Sequence, residues 1–271
     1  MSLAQQVVRG ATVSDAWLSA VETVDAVPER RMFHLVTCID DPASERPRIR
    51  AAVDALLGDL DLSTVKTVTN TIFPAEMAAR SQDHTDLAAR YRRVYPILRR
   101  LHPGNRLGTY FGRIVAHPAA AGEHDQLGEL IRRLNTELRT RGPKAARYEM
   151  NVAGPGDPAG PAGFGCVGDP ADAGPVHVYA VGRDTSPMGF PCLSFCSFQL
   201  DDDLLHMVAH YRYQYLVQRG YGNYLGLGQL LGYVSALTGL RPGQLMIVAG
   251  IAAVDAPRYR IAQVLASARD H

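Results

Sequence analysis

The residue in this sequence best suited to chemistry is a cysteine set directly after a proline. In "GFPCLSFCSFQL", residues 189–200, Cys192 follows Pro191 at the mouth of an apolar run that reads as a buried strand. Two readings are open: Cys192 is a small core residue, or it is a nucleophile on a rigid edge. A thiolate attacks electron-poor carbon, and a cationic neighbour lowers the thiol pKa enough for it to do so. Cys196 is an even number of residues away, so on a strand the two share a face, and one of the pair suits a structural place. Cys38 and Cys166 add neither a paired metal-ligand spacing nor the density of a secreted disulfide scaffold.

The elements that must hold these residues follow from periodicity and punctuation. "TVSDAWLSAVETV" reads as a capped helix, "MFHLVTCID" as a strand, "RIRAAVDALLGDL" as a second helix, and "LSTVKTVTNTIF", rich in β-branched residues, as a strand. Pro74 opens a long helical stretch interrupted at Pro96, "HPGNRLGTYFGRI" reads as a glycine-punctuated loop, and "EHDQLGELIRRLNTELRTRG" as a further helix. "KAARYEMNV" is a short strand candidate. Residues 153–175, crowded with Gly, Pro and Ala, read as an insertion or surface loop within one domain spanning 1–271. "HVYAVG", "FPCLSFCSFQL" and "LLHMVAHYRYQYL" read as strands, "LGLGQLLGYVSALTGL" as a buried helix and "QLMIVAGIAAV" as a last core strand. Strands mixed with helices, without regular βαβ alternation, argue for an α+β fold.

The 271 residues suffice for a sizeable core, and 46% hydrophobic with 20% charged residues is an ordinary globular composition. The 28 basic and 27 acidic residues leave a formal charge of +1, without the bulk basic character of a nucleic-acid binder. The N-terminal stretch has no uninterrupted apolar segment of signal-peptide or membrane-spanning type, so a cytoplasmic protein without a membrane partner is expected.

Arg212 lies twenty residues after Cys192, Asn223 eleven further, and "TGLRPG" begins at Thr238. With Pro191-Cys192, these intervals resemble the thymidylate synthase family, where Pro-Cys precedes a strand ending in Gln-Arg-Ser, an asparagine opening a buried helix, and Thr-Gly-Leu-Lys-Pro-Gly. Upstream, "LGTYFGRI" is similar to the family's Leu-Gly-Pro-Val-Tyr-Gly and "DQLGELIRRLNTEL" to its Asp-Gln helix, while Glu76 in "TIFPAEMAAR" stands about where the family keeps a glutamate. The resemblance covers roughly residues 70–255 and is most specific after 189. It implies a three-layer α+β fold whose large mixed sheet packs back to back with that of a second subunit in a homodimer.

The same resemblance implies roles. Cys192 would attack C6 of a pyrimidine nucleoside monophosphate, making C5 a carbon nucleophile that takes up a methyl or hydroxymethyl group from 5,10-methylenetetrahydrofolate. Arg212 would hold the phosphate with its planar fork and lower the thiol pKa. Asn223 would pair with O4 and N3 of a uracil-type ring; as an asparagine it is equally suited to cap a helix. Glu76 would act as a general acid/base, or is an exposed carboxylate in a first helical turn. Tyr110 or Phe111 would lie beside the thiol, a place that aromatic core packing also explains. Lys144, Arg147 and Arg30 are candidates for further phosphate contacts, and all three also suit a solvated surface.

Several family positions are changed. Leu193 stands where the family has histidine after the cysteine, Tyr213 replaces the serine that touches phosphate, and Tyr215 replaces the aspartate that anchors the pterin. "GIAAVD" puts Ala253 and Asp255 in place of the histidine and tyrosine that hold the ribose. Tyr213, Tyr215 and Asp255 are therefore candidate contacts of a different sugar or heterocycle. Besides the one-carbon transferase, a non-folate enzyme acting on another heterocycle and a non-catalytic dimeric nucleotide-binding protein fit the same residues.

Overall fold

The computed structural model describes residues 6–101, 105, 108–119, 122–140, 176–177 and 192–269. Lys144, Arg147, the "KAARYEMNV" segment and the 153–175 insertion lie outside the described residues. Those described form an α+β structure around one mixed sheet of six strands, in the order β1-β2-β8-β7-β6-β5. Strand β1 (Val7–Thr12) lies parallel to β2 (Arg31–Asp41), and the two are joined by α1 (Val13–Asp25), which Thr12 caps by accepting from the Asp15 amide at 3.3 Å. Helix α2 (Pro47–Asp59) follows β2. At the other side β5 (Val176–His177) pairs antiparallel with β6 (Leu193–Asp201), and β6 with β7 (Leu204–Tyr215). A π-helical turn (Leu216–Gly220) carries the chain from β7 into α8 (Tyr221–Thr238), and β8 (Arg241–Ala253) returns parallel to β7 and antiparallel to β2.

Helix α8 is apolar all round and buried along most of its length, as a helix inside a core must be. Glycines open it to its neighbours: a Cβ at Gly222 would lie 2.6 Å from Val68 Cβ, and one at Gly226 would lie 2.9 Å from Ile72 Cβ. The segment that presses into this groove is α3 (Val65–Ile72). It was expected to be a strand from its β-branched content, and it is a helix. Thr64 caps it through the Thr67 amide at 3.2 Å, and Val65, Val68, Thr69 and Ile72 are buried at helical spacing. Packing against α8 outweighs the weak intrinsic preference of valine and threonine for extended structure.

Two other expectations are corrected in the same region. After α4 (Ala75–Ala79), α5 (His84–Leu101) runs through Pro96 without ending there, and the supposed loop contains α6 (Tyr110–Val115), capped by Thr109. A small hairpin of β3 (His117–Ala119) and β4 (Gly122–His124) precedes α7 (Gln126–Leu138), which is the helix expected there. Strand β1 and the final helix α9 (Arg258–Arg269), which packs on α2, were not anticipated.

The alternation of core-facing residues breaks at one end of the sheet, and this bend in the pattern is written into three strands at the same rank. Core-facing residues alternate along β2, β8 and β7 up to Leu35, Ala249 and Tyr211, which are register partners. The next core-facing rank is Met32, Ala252 and Gln214, three positions away instead of two. Each strand thus carries an extra residue there: Phe33–His34, Gly250–Ile251 and Arg212–Tyr213 all turn from the core. His34 takes the left-handed conformation (φ 56°). The register between the three strands is unbroken there, so they change face together, and Arg212 lies at that point.

Candidate active site

Four chain segments meet at the bent end of the sheet: the start of β6, the end of β7, the π-helical turn and the first turn of α6. Cys192 sits half-buried just before β6, and its carbonyl accepts the Arg212 amide at 2.8 Å. Between Leu193 and Phe195 the β6–β7 register slips, leaving Ser194 as an extra residue, and Arg212 Nε donates to Ser194 Oγ at 3.2 Å. Cys192 and Arg212 are therefore brought together, as the family resemblance implied.

Burial raises the Cys192 thiol pKa above its ordinary value, against the opposing pull of Arg212 and then Arg219. Desolvation wins over both cations, so the thiol rests protonated at neutral pH. Arg219 was not singled out from the sequence. It lies in the π-helical turn, a rare geometry often found at functional sites. That turn is fixed from two sides, by Trp17 Nε1 donating to the Leu216 carbonyl at 2.7 Å and by Asp255. The Asp255 carboxylate accepts the Val217 amide at 2.9 Å and the Gln218 amide at 3.2 Å. Asp255, considered as a sugar contact, thus has both oxygens engaged in holding the turn; burial nonetheless raises its pKa.

Tyr110 is the aromatic beside the thiol. Burial raises the pKa of its hydroxyl, which lies against the backbone of Leu193 and Cys192, and its ring meets Tyr211 edge-on with centroids 6.4 Å apart. Phe111 points into the core instead, against Phe73 at 5.8 Å and Tyr91 at 4.8 Å. Tyr211 is a second residue that sequence reasoning missed. Its ring is wholly buried on the core face of β7, within electrostatic reach of Tyr110, Cys196, Cys192 and Tyr224, and its hydroxyl has no hydrogen-bond partner among the described residues. Its alternation with Ala209 marked it as a core aromatic; only the fold shows that its polar tip is left over.

Asn223 is the third residue of α8, not its cap, and is 3% exposed with Oδ1 unpartnered among the described residues. A buried acceptor without a donor costs about 1–3 kcal/mol. Two such atoms, on Asn223 and Tyr211, are therefore candidates for contact with a polar ligand. Tyr224, one residue on, is satisfied: its hydroxyl donates to Gln214 Oε1 at 3.3 Å and lies 3.2 Å from Thr37 Oγ1.

The remaining candidates are placed differently. Tyr213 and Tyr215 lie at the end of β7 with ring centroids 4.7 Å apart, Tyr215 being 42% exposed. Arg30 takes a left-handed conformation (φ 51°), and its guanidinium pairs with Asp25 at 2.5 Å and donates to the Ala256 carbonyl at 2.5 Å. It ties the entry of β2 to the segment after β8, leaving Nη2 buried without a partner. Glu76 is 64% exposed on α4, where Lys66 at 2.5 Å holds its carboxyl below the usual range. It lines a cleft between α3, α4 and α5 in which Cys192 has no part.

Among the described residues no cluster of His, Cys, Asp or Glu could hold a metal ion, and no helix is long and apolar enough to cross a membrane. Comparison with protein-family models and with curated proteins gave no match to this chain.

Proposed function

We propose that the chain is a divergent thymidylate synthase-like enzyme that transfers a one-carbon group to C5 of a pyrimidine nucleoside monophosphate through a Cys192 adduct at C6. The observation that supports it is the meeting of Cys192 with Arg212, Arg219 and Tyr110 beside Tyr211, whose buried hydroxyl has no partner among the described residues, with Asn223 Oδ1 likewise unpartnered in the first turn of α8. A uracil-type ring supplies what they lack: its N3–H donates to Asn223 Oδ1, and the Asn223 amide donates to O4.

In the reaction, Cys192 loses its proton and adds to C6, and the C5–C6 π electrons move towards O4 as an enolate. Arg212 and Arg219 favour the thiolate, and a hydrogen bond to O4 spreads the new charge. C5 then attacks an electrophilic one-carbon donor, whose bond to its carrier breaks as the carrier leaves with the electron pair; C5 loses its proton to solvent, and expulsion of the thiolate restores the C5–C6 double bond. Arg212 remains bonded to Ser194, so phosphate would be taken by its terminal nitrogens.

The residues do not fit the folate that the resemblance implies. The pterin-anchoring carboxylate is replaced by the half-exposed ring of Tyr215, and nearby Asp255 has both oxygens held by backbone amides. This mismatch favours a second reading in which the donor is not a folate. The partner of the protein is proposed to be a second copy of itself. The face of the sheet opposite α8 presents Val7, Phe33 and Met246, which are 54%, 53% and 38% exposed, and a back-to-back pair would bury them.

The test uses deoxyuridine and uridine monophosphates deuterated at C5. Cys192-dependent loss of deuterium to water reports addition at C6 without any donor, and a mass gain with methylenetetrahydrofolate or another carrier reports the transfer. Full exchange and transfer by Cys192→Ala would overturn the mechanism.

A further inference from the structure

The helical side of the molecule holds a cleft of about 770 Å³ between α3, α4 and α5. Three cations line it, Arg80 from the end of α4 with Arg90 and Arg93 from α5, against a single acid, Glu76. That acid is already neutralised by Lys66, which is not one of the lining residues. Arg90 is shared with Asp86 at 2.8 Å, whereas Arg80 and Arg93 have no ion-pair partner among the described residues. Between the cations lies apolar surface: Met77, Val94 and Leu98 are half-buried. At its deepest side Tyr91 and Thr109 are buried, joined by a hydroxyl–hydroxyl bond of 2.6 Å.

We propose that this cleft is a second ligand site, separate from Cys192, for a small molecule that carries an oxyanion on an apolar, ring-sized body. Its volume is that of a site for a cofactor-sized ligand. Guanidinium forks match phosphate and carboxylate geometry, and cations of one sign in a concavity with apolar walls concentrate anions there. A merely solvated helix face would not set two unpaired arginines around a recess lined by Met77, Val94 and Leu98. Phosphate esters and carboxylates share the required chemistry. The site does not depend on the pyrimidine reading.

Isothermal titration of the full chain with four probes tests it: 1-naphthyl phosphate, 1-naphthoate, inorganic phosphate and neutral 1-naphthalenemethanol. Both naphthyl anions bind saturably at one site, while the alcohol and bare phosphate bind far more weakly. The tighter of the two anions identifies the ester or the carboxylate as the natural group. Arg80→Ala and Arg93→Ala, at exposed positions whose loss leaves the melting transition in place, each weaken binding about tenfold. Cys192→Ala, and Arg132→Ala on α7 as a remote control, bind like the wild type. The proposal is overturned if the alcohol binds as well as the anions, if neither anion saturates, if both arginine variants bind undiminished, or if Cys192→Ala abolishes binding.

Discussion

The middle of the sheet and its bent end are built from the same strands and obey different rules. In the middle, Ile39, Leu245, Met207 and Phe198 form an apolar rank across four strands, and the neighbouring rank includes Ile247, Ala209 and Cys196. At the bend, three of the buried residues, Tyr211, Gln214 and Asn223, each leave a polar atom without a partner among the described residues. Cys192, just before β6, and Cys196, within it, mark the contrast within four residues. Burial alone pushes Cys196 up to about 12, whereas Cys192 is raised by burial but pulled back by two arginines. The middle is arranged for stability; the end keeps unsatisfied groups that stability alone would have removed.

The contrast breaks most visibly at Cys192. Cys192→Ala is expected to lose all C5 exchange while melting like the wild type, and Cys196→Ala to keep exchange; mass spectrometry of deuterated nucleotide checks both. Next in size is Cys196→Ser, which places a hydroxyl in an apolar rank and should cost about 1–3 kcal/mol in denaturant unfolding with little change in exchange. Tyr211→Phe has the opposite profile. Removing an orphan hydroxyl should leave the free chain unchanged or more stable by about 1 kcal/mol, while nucleotide affinity falls. Loss of stability in Tyr211→Phe without loss of affinity would erase the distinction between the regions.

The open face gives a further test. Phe33→Asp with Met246→Asp should leave a folded monomer by sedimentation, since both side chains are already exposed. Smallest is a pH effect. Because the Cys192 pKa lies above the ordinary thiol value, alkylation by iodoacetamide should rise with pH to a midpoint above ~8.5. Arg219→Ala removes a cation that favours the thiolate, so it should move that midpoint further up.

The strands from Leu193 onwards and α8 were legible in the sequence, because alternation and an all-apolar helix are strong periodic signals, whereas the proximity of Cys192 to Arg212 was implied by the family resemblance alone. Helix α3 was not, since its valines and threonines suit either structure and the deciding partner, the glycine groove of α8, lies far along the chain. Arg219 and the Tyr211 hydroxyl escaped for a different reason. Their importance rests on a π-helical turn and on a missing hydrogen bond, and neither leaves a pattern in the order of residues. Asn223 was a candidate from the sequence, and only its place as third residue of α8 separates it from a helix cap.

The bend has one consequence for how such a chain can change. Its extra residues stand side by side in β2, β8 and β7, so deleting one from a single strand would turn every later side chain of that strand inside out relative to its neighbours. The three must be gained or lost together. Substitution can therefore alter what the bent end binds, as at Tyr213 and Tyr215, far more readily than single insertions or deletions can straighten it.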